Sequence, residues 1–117
     1  MNEARLPTGL WVDALLRRAS LAGAGAFVLQ KGDAERGDVL VKVATLDGEA
    51  QAFVPALDFE TGERVFEDLQ SRGVGSDEPD IDAYIQRARA RDSDLWVVEI
   101  EDRDGRHFLT ERVKIHR

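Results

Sequence analysis

The chain has 117 residues, 43% of them hydrophobic and 33% charged, with 23 acids against 16 bases and a formal charge of −7. That length suits a single domain spanning residues 1–117, and the balance of apolar and charged residues excludes a disordered chain or a membrane-embedded one. The sequence holds no cysteine, which removes disulfides, thiolate nucleophiles and thiolate metal sites.

The charge is uneven. Residues 1–44 carry six bases and five acids, residues 45–117 ten bases and eighteen acids, so the two parts stand at +1 and −8. A field of that sign repels phosphate, so nucleic acid and anionic membrane are disfavoured partners. The longest apolar runs, Ala26 to Leu29 and Leu95 to Val98, fall far below the roughly 20 residues that span a bilayer. The start of the chain, with Glu3, shows neither a secretory nor a transit pattern, and a cytoplasmic location is expected.

Residues 8–23 place Leu10, Trp11, Ala14, Leu15, Ala19 and Ala22 near helical spacing, with Thr8 as the expected N-cap and Gly23 as the expected C-cap. Asp13, Arg17 and Ser20 form the polar side of this first helix. Ala26 to Leu29 and the alternating Val39 to Val43 read as strands. Between them KGDAERGD, residues 31–38, suits an antiparallel hairpin in which Gly32 or Gly37 supplies a positive φ. Asp47-Gly48 predicts another hairpin, leading into a strand over residues 49–55. Residues 63–69 fit a short strand or a helical turn, and residues 71–80 a loop. Ile81, Tyr84, Ile85 and Ala88 then mark the buried face of a second helix over 79–91. Leu95 to Glu101 reads as a central strand, and Asp104-Gly105 predicts a hairpin returning through His107, Phe108 and Leu109.

The order α-β-β-β-β-α-β-β predicts an α+β fold, a largely antiparallel sheet of five or six strands with both helices on one face. The alternative is a right-handed parallel crossover from the fourth strand through the second helix to the fifth.

No metal, cofactor or catalytic set is expected. His107 and His116 have no His-x-x-x-His or Glu-x-x-His partner, and no serine sits in a Gly-x-Ser-x-Gly elbow. Asp77, Glu78, Asp80 and Asp82 match no calcium loop, and they suit the positive end of the second helix as Arg87, Arg89 and Arg91 suit its negative end. The loop at 31–38 lacks the phosphate-loop pattern. A speculative anion-binding set remains in Arg17, Arg18, Lys31, Arg36 and Lys42, all close to the first helix and the 31–38 turn.

The segments LPTGLWVDALLRRA, GAGAFVLQKGDAERGDVLVKV and DLWVVEIEDRDGRHF resemble a family of short, uncharacterised bacterial proteins. The likeness covers most of the chain and implies no activity, cofactor or catalytic residue. The expected function is therefore a small non-enzymatic binding or interaction module, meeting a protein partner or a second copy through an edge strand. The alternative is a small enzyme or binding protein for an anionic metabolite, built on the five bases.

Overall fold

Helix α1, Thr8–Leu21, buries Val12, Leu15 and Ala19, one side of its cylinder. In the computed structural model, which describes residues 6–114, it is followed by β1 (Gly25–Gln30), β2 (Val39–Ala44), β3 (Ala50–Leu57) and β4 (Arg64–Asp68). A 3₁₀ turn at Leu69–Arg72, helix α2 (Glu78–Arg91), β5 (Trp96–Glu101) and the two-residue β6 (Val113–Lys114) complete the order. The ambiguous stretch at 63–69 is thus a strand that closes into a 3₁₀ turn.

The six strands form one sheet in the order β1-β5-β2-β3-β4-β6. The pairs β1–β5, β2–β3 and β3–β4 are antiparallel, while β2–β5 and β4–β6 are parallel, so the α+β class holds with a mixed sheet. Two expected pairings differ. β1 and β2 form no hairpin with each other, because β5 enters between them and runs parallel to β2. The return after Asp104-Gly105 is a turn without a strand, and the last strand lies at 113–114, beside β4 instead of β5. β4 and β5 do run parallel through α2, as in the crossover alternative, with β2 and β3 lying between them.

The helices lie on opposite faces of the sheet, not on one. Strand side chains alternate between faces. Val39, Val41 and Val43 of β2 and Trp96, Val98 and Ile100 of β5 pack with α1, whereas Leu40 and Val97 pack with Ile81, Ile85 and Ala88 of α2. β2 is consequently buried at all six positions. A strand covered on both faces has no solvent side, and that is why local alternation misleads there.

Local chemistry explains the joints. Pro7 occupies the N-cap position of α1, and the Thr8 hydroxyl instead donates to the Gly37 carbonyl at 2.9 Å. The amides of Thr8 and Gly9 donate to the carbonyls of Glu35 and Ala34, so the 31–38 loop satisfies free donors of the first turn. At the other end Gly23, at φ +90°, closes the helix one residue beyond its C-cap Ala22, and the Ala24 amide returns to the Ala19 carbonyl at 3.0 Å. Gly32 and Gly37 have no positive φ. They are small because a Cβ at either would overlap the Asp94 carbonyl oxygen, against which the loop packs. Pro55 lies where β3 has passed the end of its pairing with β2, so its missing N–H interrupts no bond to that strand.

Candidate functional site

The five bases singled out in the sequence are not brought together. Arg17 is exposed on α1, and Lys31 and Arg36 are exposed in the connection after β1. Arg18, half-buried, donates from Nε to the Phe108 carbonyl at 3.0 Å. That contact helps hold Phe108 at φ 61°, a conformation a bulky residue rarely adopts, with the Arg106 guanidinium lying 5.0 Å above its ring.

Lys42 lies on the other side of the sheet from α1, beneath α2, and is 3% exposed. Its Nζ stands 2.7 Å from Glu78 Oε2, 2.7 Å from Asp82 Oδ1 and 3.5 Å from Glu99 Oε1. Burial opposes the ammonium charge, but the hydrogen bonds to Asp82 and Glu78 and the field of Glu99 outweigh it, so Lys42 is held well above the ordinary lysine range. The three acceptors are spent on this internal cation, and an external anion would meet carboxylates first. Two of the four acids at the start of α2 thus serve Lys42 rather than a metal, and the described residues contain no cluster of three histidine, aspartate or glutamate side chains suited to a metal ion.

His107 is half-buried. Its Nδ1 accepts from the Leu109 amide at 2.9 Å, its ring meets Phe53 edge-on at 5.1 Å, and burial pushes its pKa down. His116 lies outside the described residues.

Two surface features carry binding potential. The first is a cleft of about 250 Å³ on the α1 face, where the helix stops short of β3 and β4. Its floor is Val39, Pro55 and the Trp11–Phe66 pair, stacked at 5.6 Å between ring centroids and 18° apart in plane. Trp11 is fixed by its indole N–H, which donates to Glu111 Oε2 at 2.7 Å. At the mouth Arg64 and Asp38, both about half exposed, face each other at 3.8 Å. None of these five contributors, Trp11, Asp38, Arg64, Phe66 and Glu111, was singled out as a ligand contact from the sequence. Trp11 read simply as part of the apolar stripe of α1.

The second feature is β1 itself. It is a sheet edge, and Phe27, Val28 and Leu29 are 48%, 41% and 42% exposed. The strand, GAFVLQ, has no charge and no proline. Alongside it runs an open groove of about 560 Å³ between α1 and β1, lined by Leu10, Asp13, Val28, Lys31 and Trp96 among others.

A mixed six-stranded sheet with one helix on each face defines a small α+β protein. More particularly, the chain belongs to the bacterial family described as "Protein of unknown function (DUF1491)", which matches residues 6–110. It is similar to a DUF1491 family protein from Caulobacter crescentus CB15 seen in a crystal structure, at 54% identity and a TM-score of 0.83 over 94% of this chain and 100% of that one. An NMR structure of a DUF1491 family protein from Caulobacter crescentus CB15 matches at 51% identity and a TM-score of 0.82, over 96% of this chain and 99% of that one. The solution structure of protein Atu0922 from A. tumefaciens matches at 35% identity and a TM-score of 0.74, over 95% and 98%. No curated protein matches the chain.

Proposed function

We propose that this protein is a non-enzymatic interaction module whose β1 edge accepts an extended segment of another chain, a second copy or a protein partner, as an added strand. The observation that supports this reading is the run Phe27, Val28, Leu29, exposed on an uncharged strand whose outer backbone pairs with no other strand among the described residues. Sheet edges are normally blunted by charge, proline or short length. β6, the opposite edge, has two residues and ends in Lys114, whereas β1 has six residues without charge or proline, its register with β5 broken once between Val28 and Gln30. Side chains of an added strand would alternate between Phe27 on the α2 side and the groove beside Val28 on the α1 side, which gives pairing a specificity beyond its backbone bonds.

Six residues at about 3.3 Å each make a contact roughly 20 Å long. A contact that short buries less than the approximately 800 Å² per partner of a standard interface, so affinity in the micromolar range is expected. A cytoplasmic site of action is part of the same proposal. It is supported by a described chain in which no helix is long and apolar enough to cross a membrane.

Capture from a lysate of the native cell, joined to light scattering, tests the reading with the double variant Phe27→Lys, Leu29→Lys as its control. The wild-type protein is expected to self-associate or retain a partner, and the variant to lose that species with its melting temperature little changed. A wild-type protein that is strictly monomeric and retains nothing beyond what the variant retains overturns the proposal.

A further inference from the structure

The cleft at the start of α1 is separate from the β1 edge and takes a different kind of occupant. We propose that it binds a small organic cation, an ammonium carried on one ring-sized apolar group. At about 250 Å³ the cleft is larger than the roughly 150 Å³ cavity that holds a benzene ring, so it admits a single ring and a short arm. Its lining is mostly apolar, and the stacked Trp11–Phe66 pair gives it a rigid aromatic floor against which a ring can pack.

The charges at the mouth select the sign of the ligand. Among the described residues Asp38, Glu111 and Arg64 line the opening, two carboxylates against one guanidinium, and Arg64 is already turned to Asp38 at 3.8 Å. Glu111 gives Oε2 to the Trp11 indole, yet a carboxylate has about four lone-pair sites, so it keeps acceptor capacity for an incoming N–H. An anionic ligand would have to draw Arg64 away from Asp38 and sit beside Glu111, on a chain whose formal charge is −7. A cation can take the remaining acceptor sites of Glu111, with Asp38 beside it, without displacing any existing pair. The Trp11–Glu111 bond also holds the indole plane in place before the ligand arrives.

Three probes that share a phenyl ring separate charge from shape: 2-phenylethylammonium, 2-phenylethanol and phenylacetate. Each is titrated into the ¹⁵N-labelled full chain. The Trp11 indole N–H reports the cleft, and that of Trp96, which donates to the Asp33 carbonyl at 2.8 Å, serves as the internal reference. The ammonium is expected to shift Trp11 and the amides of Gly37 and Phe66 saturably, and to bind about tenfold more tightly than phenylacetate. Glu111→Gln keeps an acceptor for Trp11. It is expected to weaken the ammonium several-fold and to leave 2-phenylethanol unchanged. Equal or tighter binding of phenylacetate, an ammonium affinity that ignores Glu111→Gln, or no shift of Trp11 with any probe overturns the proposal.

Discussion

The two faces of the sheet solve the same burial problem with different materials. On the α1 side the core is bulky and aromatic, with Phe53, Phe66 and Trp96 beside Val12, Leu15 and the valines of β2. On the α2 side it is small, with Ala50, Ala52 and Ala88 among Leu40, Val54, Ile81 and Val97, and it contains the cation Lys42. The reason is coverage. α1 lies toward β1, so side chains and the cleft must fill the space over β3 and β4, while the alanines of β3 let α2 settle close to the sheet. The lesson concerns charge. The α2 face seals one cation, Lys42, beneath carboxylates that themselves reach solvent and are spent on it, whereas the α1 face keeps Asp38, Arg64 and Glu111 at the rim of an opening.

The largest expected effect tests the sealed side. Lys42→Met retains the length of the side chain but leaves Glu78, Asp82 and Glu99 facing one another without their cation. Removing one member of a fully buried ionic group costs about 3–5 kcal/mol, but Glu78 and Asp82 reach solvent, so chemical denaturation should show a smaller loss of about 1–3 kcal/mol. Neutralising the acids in the same background, with Glu78→Gln and Asp82→Asn, should recover part of it. A loss well below this range would mean that the cluster is solvated, and the contrast between the faces would dissolve.

An effect no larger is expected on the α1 side from Gly37→Ala. The new methyl would run into the Asp94 carbonyl and come within 3.0 Å of the Asp33 backbone. Overpacking against atoms that cannot swing aside costs about 1–3 kcal/mol, readable as a shift of the denaturation midpoint. Since Gly37 also lines the cleft and accepts from Thr8, the variant should disturb the Trp11 indole signal while leaving α2 amides unmoved. Equal disturbance on both sides would show that the two faces do not behave independently.

How far these features were legible depended on whether their cause was local. The face of α2 was plain from the spacing of Ile81, Ile85 and Ala88, which are indeed buried, and Gly48 and Gly105 sit at positive φ in the turns their dipeptides announced. The glycines of 31–38 announced a turn equally well, but their actual cause is the approach of Asp94, roughly sixty residues onward, and only the insertion of β5 creates it. Lys42 was misread for the same reason. Lysine between two valines reads as the wet side of a strand, and the acids that make it a buried residue arrive from α2 and β5. The cleft needed Trp11, Phe66 and Glu111 to meet from three distant segments, and none of the three has a neighbour in sequence that points to the others. β6, with two residues, is too short to have a period.

The smallest effects are also the sharpest in sign, because two carboxylates at the end of one strand are pushed in opposite directions. Burial drives the Glu99 carboxyl above its ordinary value of 4.5, and Lys42 only partly offsets this, since that ammonium is shared with two nearer acids. The fold therefore favours protonated Glu99, so its contribution to stability is best below pH 4.5 and declines as pH rises through and beyond that value. Asp102, just past β5, behaves in the reverse way. The Arg106 side chain and amide hold its carboxyl down at about 2 against an ordinary 3.8, so its contribution is present above pH 3.8 and is lost as pH falls toward 2. Denaturation of the wild type, Glu99→Gln and Asp102→Asn across a pH series isolates each carboxyl by difference. The stability of wild type minus Glu99→Gln should fall with rising pH above 4.5, and that of wild type minus Asp102→Asn should climb between about 2 and 3.8. Two differences of the same sign would mean that Glu99 is governed by Lys42 and not by its burial, and the sealed face would then be an ordinary ion pair reaching solvent.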